Sequence, residues 1–192
     1  MDLTAPEIYT EPWIYWLQAA RRQTESTRGW REASDQDLAI GKELVNAVLE
    51  ELPAAMQAIS AAAFAIDGFD GAVGDIVPLR KASGPRAKKV VKRLSFLIEQ
   101  EERLNDHQRE LSWLFKTRNK SVHGKVWKDS IFRHSSGLSI SAAQKKFCLE
   151  GAERALAASQ SFITDCLEGA RGNEQLAGWA AMRLARCEDL LD

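Results

Sequence analysis

Cysteine is scarce in this 192-residue chain, and the three present do not pair in any recognisable way. Cys148, Cys166 and Cys187 are odd in number and widely spaced, with no CxxC or Cys/His pattern beside them. That excludes a disulfide framework and a zinc site, and it fits a reducing cytoplasm. The three read as small hydrophobes on helix faces. An excess of one charge is also missing: the formal net charge is −1. The chain is therefore no polycation, and any nucleic-acid surface must be a local patch. No apolar run approaches the roughly 20 residues of a membrane span, so no membrane partner is expected. The opening MDLTAPEIYTEPW has no basic segment ahead of an apolar one, so no signal peptide is expected. Strand patterns are rare, and neither internal repeats nor low-complexity tracts occur.

Helical spacing fills most of the rest. Residues 1–33 read as an arm in which Pro12 opens a short helix carrying Trp13, Trp16 and Leu17, closed by Gly29. Residues 34–192 read as a single helical domain. Ser34 is a candidate N-cap, with Asp35 and Asp37 in the first turn. Leu38, Leu44, Val45, Val48 and Leu49 then form an apolar stripe. Pro53 marks a break or kink. The alanine-rich segment Ala54–Phe69 is apolar nearly all round and should be central, with Gly68, Gly71 and Gly74 ending it. A third helix starts near Pro85, and a fourth runs from about Glu102 to Val122. Residues 124–140 look like an irregular connection. A long helix then begins at Ser139 or Ser141, and a last one runs from about Glu174 to Leu191. The expected fold is all-α, a bundle of about five to seven helices with antiparallel core helices.

The fourth helix ends in Arg118-Asn119-Lys120-Ser121-Val122-His123, followed by Gly124, a helix-stop signal. An arginine, an amide and a histidine can bind a phosphate, position it and move a proton near neutral pH. On a helical wheel Arg118 falls in line with Leu104, His107, Leu111, Leu114, Phe115 and Val122. A guanidinium on that buried line must be paired or face a cleft. His123 lies about 140° round from Arg118 on an ideal helix. The two converge only if the last turn frays or a second chain supplies its own copy.

An all-helical plan, an alanine-rich helix and RNKSVHG at a long helix's end together resemble the HEPN superfamily, over roughly residues 36–170. The family motif is an arginine, a polar residue and a histidine four to six residues beyond the arginine. Arg118, Asn119 and His123 match it. The resemblance implies a helical bundle that pairs as a homodimer, with two motifs in one cleft. It further implies a metal-independent endoribonuclease needing no cofactor, of the kind found in toxin–antitoxin, phage-defence and RNA-processing systems. A neutralising antitoxin protein would then be a partner. The alternative is a non-catalytic HEPN-like module that dimerises or binds a nucleotide or RNA.

The chemistry is self-consistent. Cleavage by the RNA's own 2′-hydroxyl needs a base, an acid for the 5′-oxygen and positive charge on the phosphate. His123 could be base or acid, Arg118 the clamp, and Asn119 a hydrogen-bonding partner of phosphate or histidine. Arg80, Lys81, Arg86, Lys88, Lys89, Lys92 and Arg93 form a stretch without an acid that could track a phosphate backbone or be a solvated face. Lys116, Lys120, Lys125 and Lys128 flank the motif. His107 reads as packed and hydrogen-bonded. His134 lies in the following loop, and Trp127 either anchors that loop or stacks a base. Glu99, Glu101, Glu102, Asp106 and Glu110 read as a solvated face with ion pairs.

Overall fold

Alanine sets how closely the helices approach. The structure, a computed structural model, describes residues 11–35, 42–122, 131–134, 137–141 and 145–191. They form the expected all-α bundle, with six helices: α1 (Pro12–Asp35), α2 (Lys42–Ile76), α3 (Arg86–Leu94), α4 (Glu101–Val122), α5 (Leu149–Ala170) and α6 (Ala177–Leu191). A 3-10 turn, Ser95–Leu97, follows α3. Ala55, Ala58, Ala62 and Ala65 of α2 are fully buried beside Ile59, Ile66 and Phe69. Small side chains let α1, α4 and α5 pack close around α2, and the large residues fill between them.

Most neighbouring core helices are antiparallel, while α2 and α5, which meet at Glu51–Leu149 and Ile59–Gly151, run parallel. Trp13 lies against Gly68 and Arg31 against Glu51, which fixes α1 along α2. Ser60 meets Ser121 while Asp67 meets Arg118, which fixes α4 along α2. Arg103 reaches Asp165 and Arg154 reaches Glu110, which fixes α5 along α4. Glu11 joins the first helix to the last by accepting from Arg183 and from the Trp179 indole.

Several sequence expectations change here. The Trp-bearing helix does start at Pro12, but it runs 24 residues, through Gly29 and Ser34. Its Trp13, Ile14 and Leu17 are buried in the core. A helical glycine costs about 1 kcal/mol, and tertiary contacts offset it: Arg28 binds Glu153, and Arg31 binds Glu51 and Glu150. Ser34 is thus in a last turn, where its hydroxyl donates to the Arg31 carbonyl, rather than at an N-cap. Pro53 sits inside a continuous α2. The carbonyl it cannot pair with is that of Leu49, a residue on the exposed side of the helix. Val45 is exposed too, so the apolar stripe expected at that end is only partly covered. Gly68, Gly71 and Gly74 do not end the helix, which continues to Ile76. Gly68 instead admits Trp13, whose Cβ would be 3.1 Å from a β-carbon there.

Leu44–Ile76 is long and apolar enough, by length and composition alone, to cross a membrane, a test that a buried core helix also passes. Its window is 56% buried within the bundle.

The connection after α4 holds a short antiparallel hairpin, β1 (Ile131–Arg133) with β2 (Ser139–Ser141), pairing Phe132 with Ile140. Its turn needs Gly137, which has φ of +85°. Ser139 and Ser141 therefore sit in a strand, and α5 starts later, at Leu149.

At the other end of α5, Gly169 packs on the turn after α3. A β-carbon there would overlap the Leu97 carbonyl oxygen, a backbone atom that cannot swing aside. Gly169→Ala is expected to cost about 3 kcal/mol through this overpacking, read as a lower urea midpoint at unchanged m-value.

Candidate functional site

The end of α4 lies on the middle of α2, and the contact is made by polar and aromatic groups. Ser60, Phe64 and Asp67 share one face of α2 by their spacing, and Arg118 and Ser121 do so on α4. Ser60 Oγ and Ser121 Oγ are 3.3 Å apart. Arg118 keeps 20% of its side chain exposed. Its Nη2 donates to Asp67 Oδ2 at 3.3 Å and its Nη1 to Asn119 Oδ1 at 3.1 Å. Its Cζ stands 4.9 Å from the Phe64 ring centroid and 6.0 Å from that of Phe115. Its Nε is buried without a hydrogen-bond partner. The sequence requirement for a paired or cleft-facing guanidinium is met on the first count, by Asp67. With Nε–H buried and one bond made by each of Nη1 and Nη2, the second N–H of each remains for an anion.

Asp67 also accepts from Arg86 Nε through its other oxygen. Arg86 continues to Asp70, which lies within 3.3 Å of Arg93 Nε. Burial pushes the Asp70 carboxyl above its ordinary range, with Arg86 and Arg93 pulling the other way. Three arginines and two aspartates thus alternate across α2, α3 and α4. The sequence grouped Arg86 and Arg93 with the phosphate-facing cations; the structure ties both to α2 carboxylates. Arg80 binds the Lys92 carbonyl and the Ser95 hydroxyl at the end of α3. On α3, Lys88 and Lys92 are exposed and Lys89 is half-buried; Lys116, Asn119 and Lys120 are exposed on α4.

Lys120 meets Lys146, which lies just before α5. The neighbouring Lys120 amine, then burial, holds the Lys146 amine below its ordinary value. Crowded ammonium groups favour an anion between or beside them. His123, Lys125, Trp127 and Lys128 lie outside the described residues.

The other two histidines are engaged away from the motif. His107 Nε2 is 2.8 Å from Asp165 Oδ2, at a groove of about 520 Å³ between α4 and α5. His134 is buried against Glu51, 3.0 Å from Oε2. Glu51 also accepts from Nε and Nη2 of Arg31 and from the Leu149 amide, so a carboxylate from α2 caps α5. Beside this cluster, burial pushes the Cys148 thiol up to about 11, which disfavours the thiolate. Among the described residues no group of three or more His, Cys, Asp or Glu could hold a metal.

Glu150 gives a pH prediction. Its hydrogen bond from Arg31 holds the carboxyl down to about 2, against an ordinary 4.5. A depressed carboxyl stabilises the fold above its unfolded pKa and loses that contribution as pH falls through the folded one. The stability difference between wild type and Glu150→Gln is therefore expected to narrow between about pH 5 and about pH 3. Urea midpoints at each pH check this; a constant difference contradicts it.

Asp67 and Phe64 are the site residues that the sequence did not single out. Their signal was Asp67 itself, the first charge after the uncharged run from Pro53 to Ile66. Compared with known proteins, the chain matches no family model, no curated protein and no solved structure.

Proposed function

We propose that this chain is a metal-independent endoribonuclease of the HEPN kind, acting in the cytoplasm as a homodimer. Arg118, Asn119 and His123 of both chains would share one cleft. The carrying observation is the Arg118 guanidinium, held by Asp67 and the Phe64 ring at the end of α4 with N–H groups to spare. A clamp fixed in this way contributes to catalysis because it need not reorganise as charge builds on the phosphate. Lys120 and Lys146, close to each other, add positive charge at this end of α4. Lys88, Lys89, Lys92, Lys116 and Lys125 are then the cations left to follow the RNA backbone, with Arg86 and Arg93 serving to hold α3 on α2.

In this mechanism one His123 removes the 2′-hydroxyl proton as that oxygen attacks the adjacent phosphorus. The other protonates the departing 5′-oxygen. Arg118 bears the charge of the pentavalent phosphate. The products are a 2′,3′-cyclic phosphate and a 5′-hydroxyl. A toxin or phage-defence role, with a neutralising protein partner, belongs to the same reading. The second reading, a non-catalytic RNA- or nucleotide-binding module, draws on Asp67, which already occupies part of the guanidinium fork.

A single 2′-deoxy substitution at a mapped cleavage site separates the two. The nuclease reading expects that bond to survive while others are cut with cyclic-phosphate ends. Cutting at the deoxy position excludes the 2′-hydroxyl mechanism, and no cutting of any RNA leaves the binding module.

A further inference from the structure

Trp16 of α1 stands beside the motif, although it is far from it in sequence. Its ring centroid is 4.9 Å from that of Phe64, tilted by 41°, and Arg118 caps the same Phe64 ring at 4.9 Å. The three side chains come from α1, α2 and α4, and Phe64 is in contact with both the indole and the guanidinium. Trp16 is 42% exposed, and Tyr15 next to it is 58% exposed. Trp13, on the same helix, is fully buried, so the exposure of Trp16 does not reflect a loosely packed α1.

We infer that Trp16 is a stacking platform for a nucleobase of single-stranded RNA whose phosphate lies on Arg118. The inference rests on the RNA reading above and adds the residue that holds the base. Two observations choose this occupant over a purely apolar one. The Phe64 ring also carries a guanidinium whose Nη1 and Nη2 each make one of two possible hydrogen bonds, which suits an anion joined to an aromatic ring. The two 4.9 Å steps also keep the indole and the guanidinium within the span of a dinucleotide. Every base has a π-face, so a shelf of this kind holds RNA without choosing its sequence. Phe64 packs against the indole and against Arg118, so base and phosphate sites share one support.

The test uses a fluorescein-labelled single-stranded decamer, 2′-O-methylated throughout so that it cannot be cut. Its binding to the full chain is followed by anisotropy. Trp16→Ala is expected to weaken binding by about 5- to 50-fold, and Trp16→Phe by about threefold or less. The same decamer with abasic sites is expected to bind wild type as weakly as Trp16→Ala binds the intact strand. Trp16→Ala itself should not distinguish the two strands. Wild-type binding unchanged by Trp16→Ala, or by loss of the bases, overturns the shelf and leaves the RNA reading standing. No binding by wild type overturns both. Conversion of a dimer to a monomer by Trp16→Ala and Trp16→Phe alike would assign Trp16 to a contact between copies and overturn the shelf as well. Trp16→Phe keeps an aromatic ring on Phe64, so it reports on binding even if Trp16→Ala folds poorly.

Discussion

Arg118→Ala is expected to lower RNA cleavage by about 10²- to 10³-fold, the usual loss when one preorganised donor to a developing oxyanion is removed. The fall should appear in kcat more than in KM, because the charge that Arg118 meets grows as the phosphate becomes pentavalent. Arg118→Lys should restore little. A lysine keeps the charge but loses the planar fork that satisfies Asp67 and Asn119 while presenting further N–H groups. The fold should persist in both variants. Asp67 retains Arg86, so no buried carboxylate is left alone. Cleavage within about threefold of wild type would remove Arg118 from the chemistry. Melting curves close to wild type are needed beside the rates, so that lost activity is not lost structure.

Glu51→Ala should be the most damaging single change to the fold. Glu51 is only 3% exposed and accepts four hydrogen bonds: two from Arg31, one from the Leu149 amide and one from the His134 ring. Those partners come from α1, the start of α5 and the hairpin that follows the motif. Burial works against the Arg31 charge, and its bonds to Glu150 and Glu51 more than offset this, so the guanidinium stays ionised. Removing the carboxylate would leave a largely buried cation with only the mostly exposed Glu150 as its partner, and the α5 N-terminus without its acceptor. The expected cost is about 3–5 kcal/mol, a large share of a typical 5–15 kcal/mol total. At about 2–4 °C per kcal/mol for a domain of this size, the melting temperature should fall by roughly 6–20 °C. Glu51→Gln should do nearly as badly, since an amide turns a donor toward groups that already donate. A melting temperature within a few degrees of wild type would show that Glu51 is no hub.

What could be read in advance follows from what periodicity encodes. Spacing of apolar residues says which face of a helix is buried. It placed α4 at 102–122 and set Arg118 on its packing face, where the structure finds it. Pro85 marked the start of α3 within a residue. Spacing does not say which polar atom waits on the neighbouring helix. Asp67 and Glu51 could not be matched to Arg118 and Arg31 without the pairing of α2 with α4 and α1. The same gap made Arg86 and Arg93 look like free cations. Their stretch holds no acid of its own, and its counter-ions lie on α2. Local stop signals misled for the opposite reason. Gly29, Pro53 and Gly68 carry penalties of a few kcal/mol or less, which packing and long-range ion pairs override.

The most direct measurement is digestion of total RNA in EDTA by wild type and by His123→Ala at equal concentration. The proposed function expects wild type to degrade the RNA without metal, leaving cyclic-phosphate or 3′-phosphate ends, and His123→Ala to leave it intact. RNA surviving equally with both proteins, or cut equally by both, would contradict it.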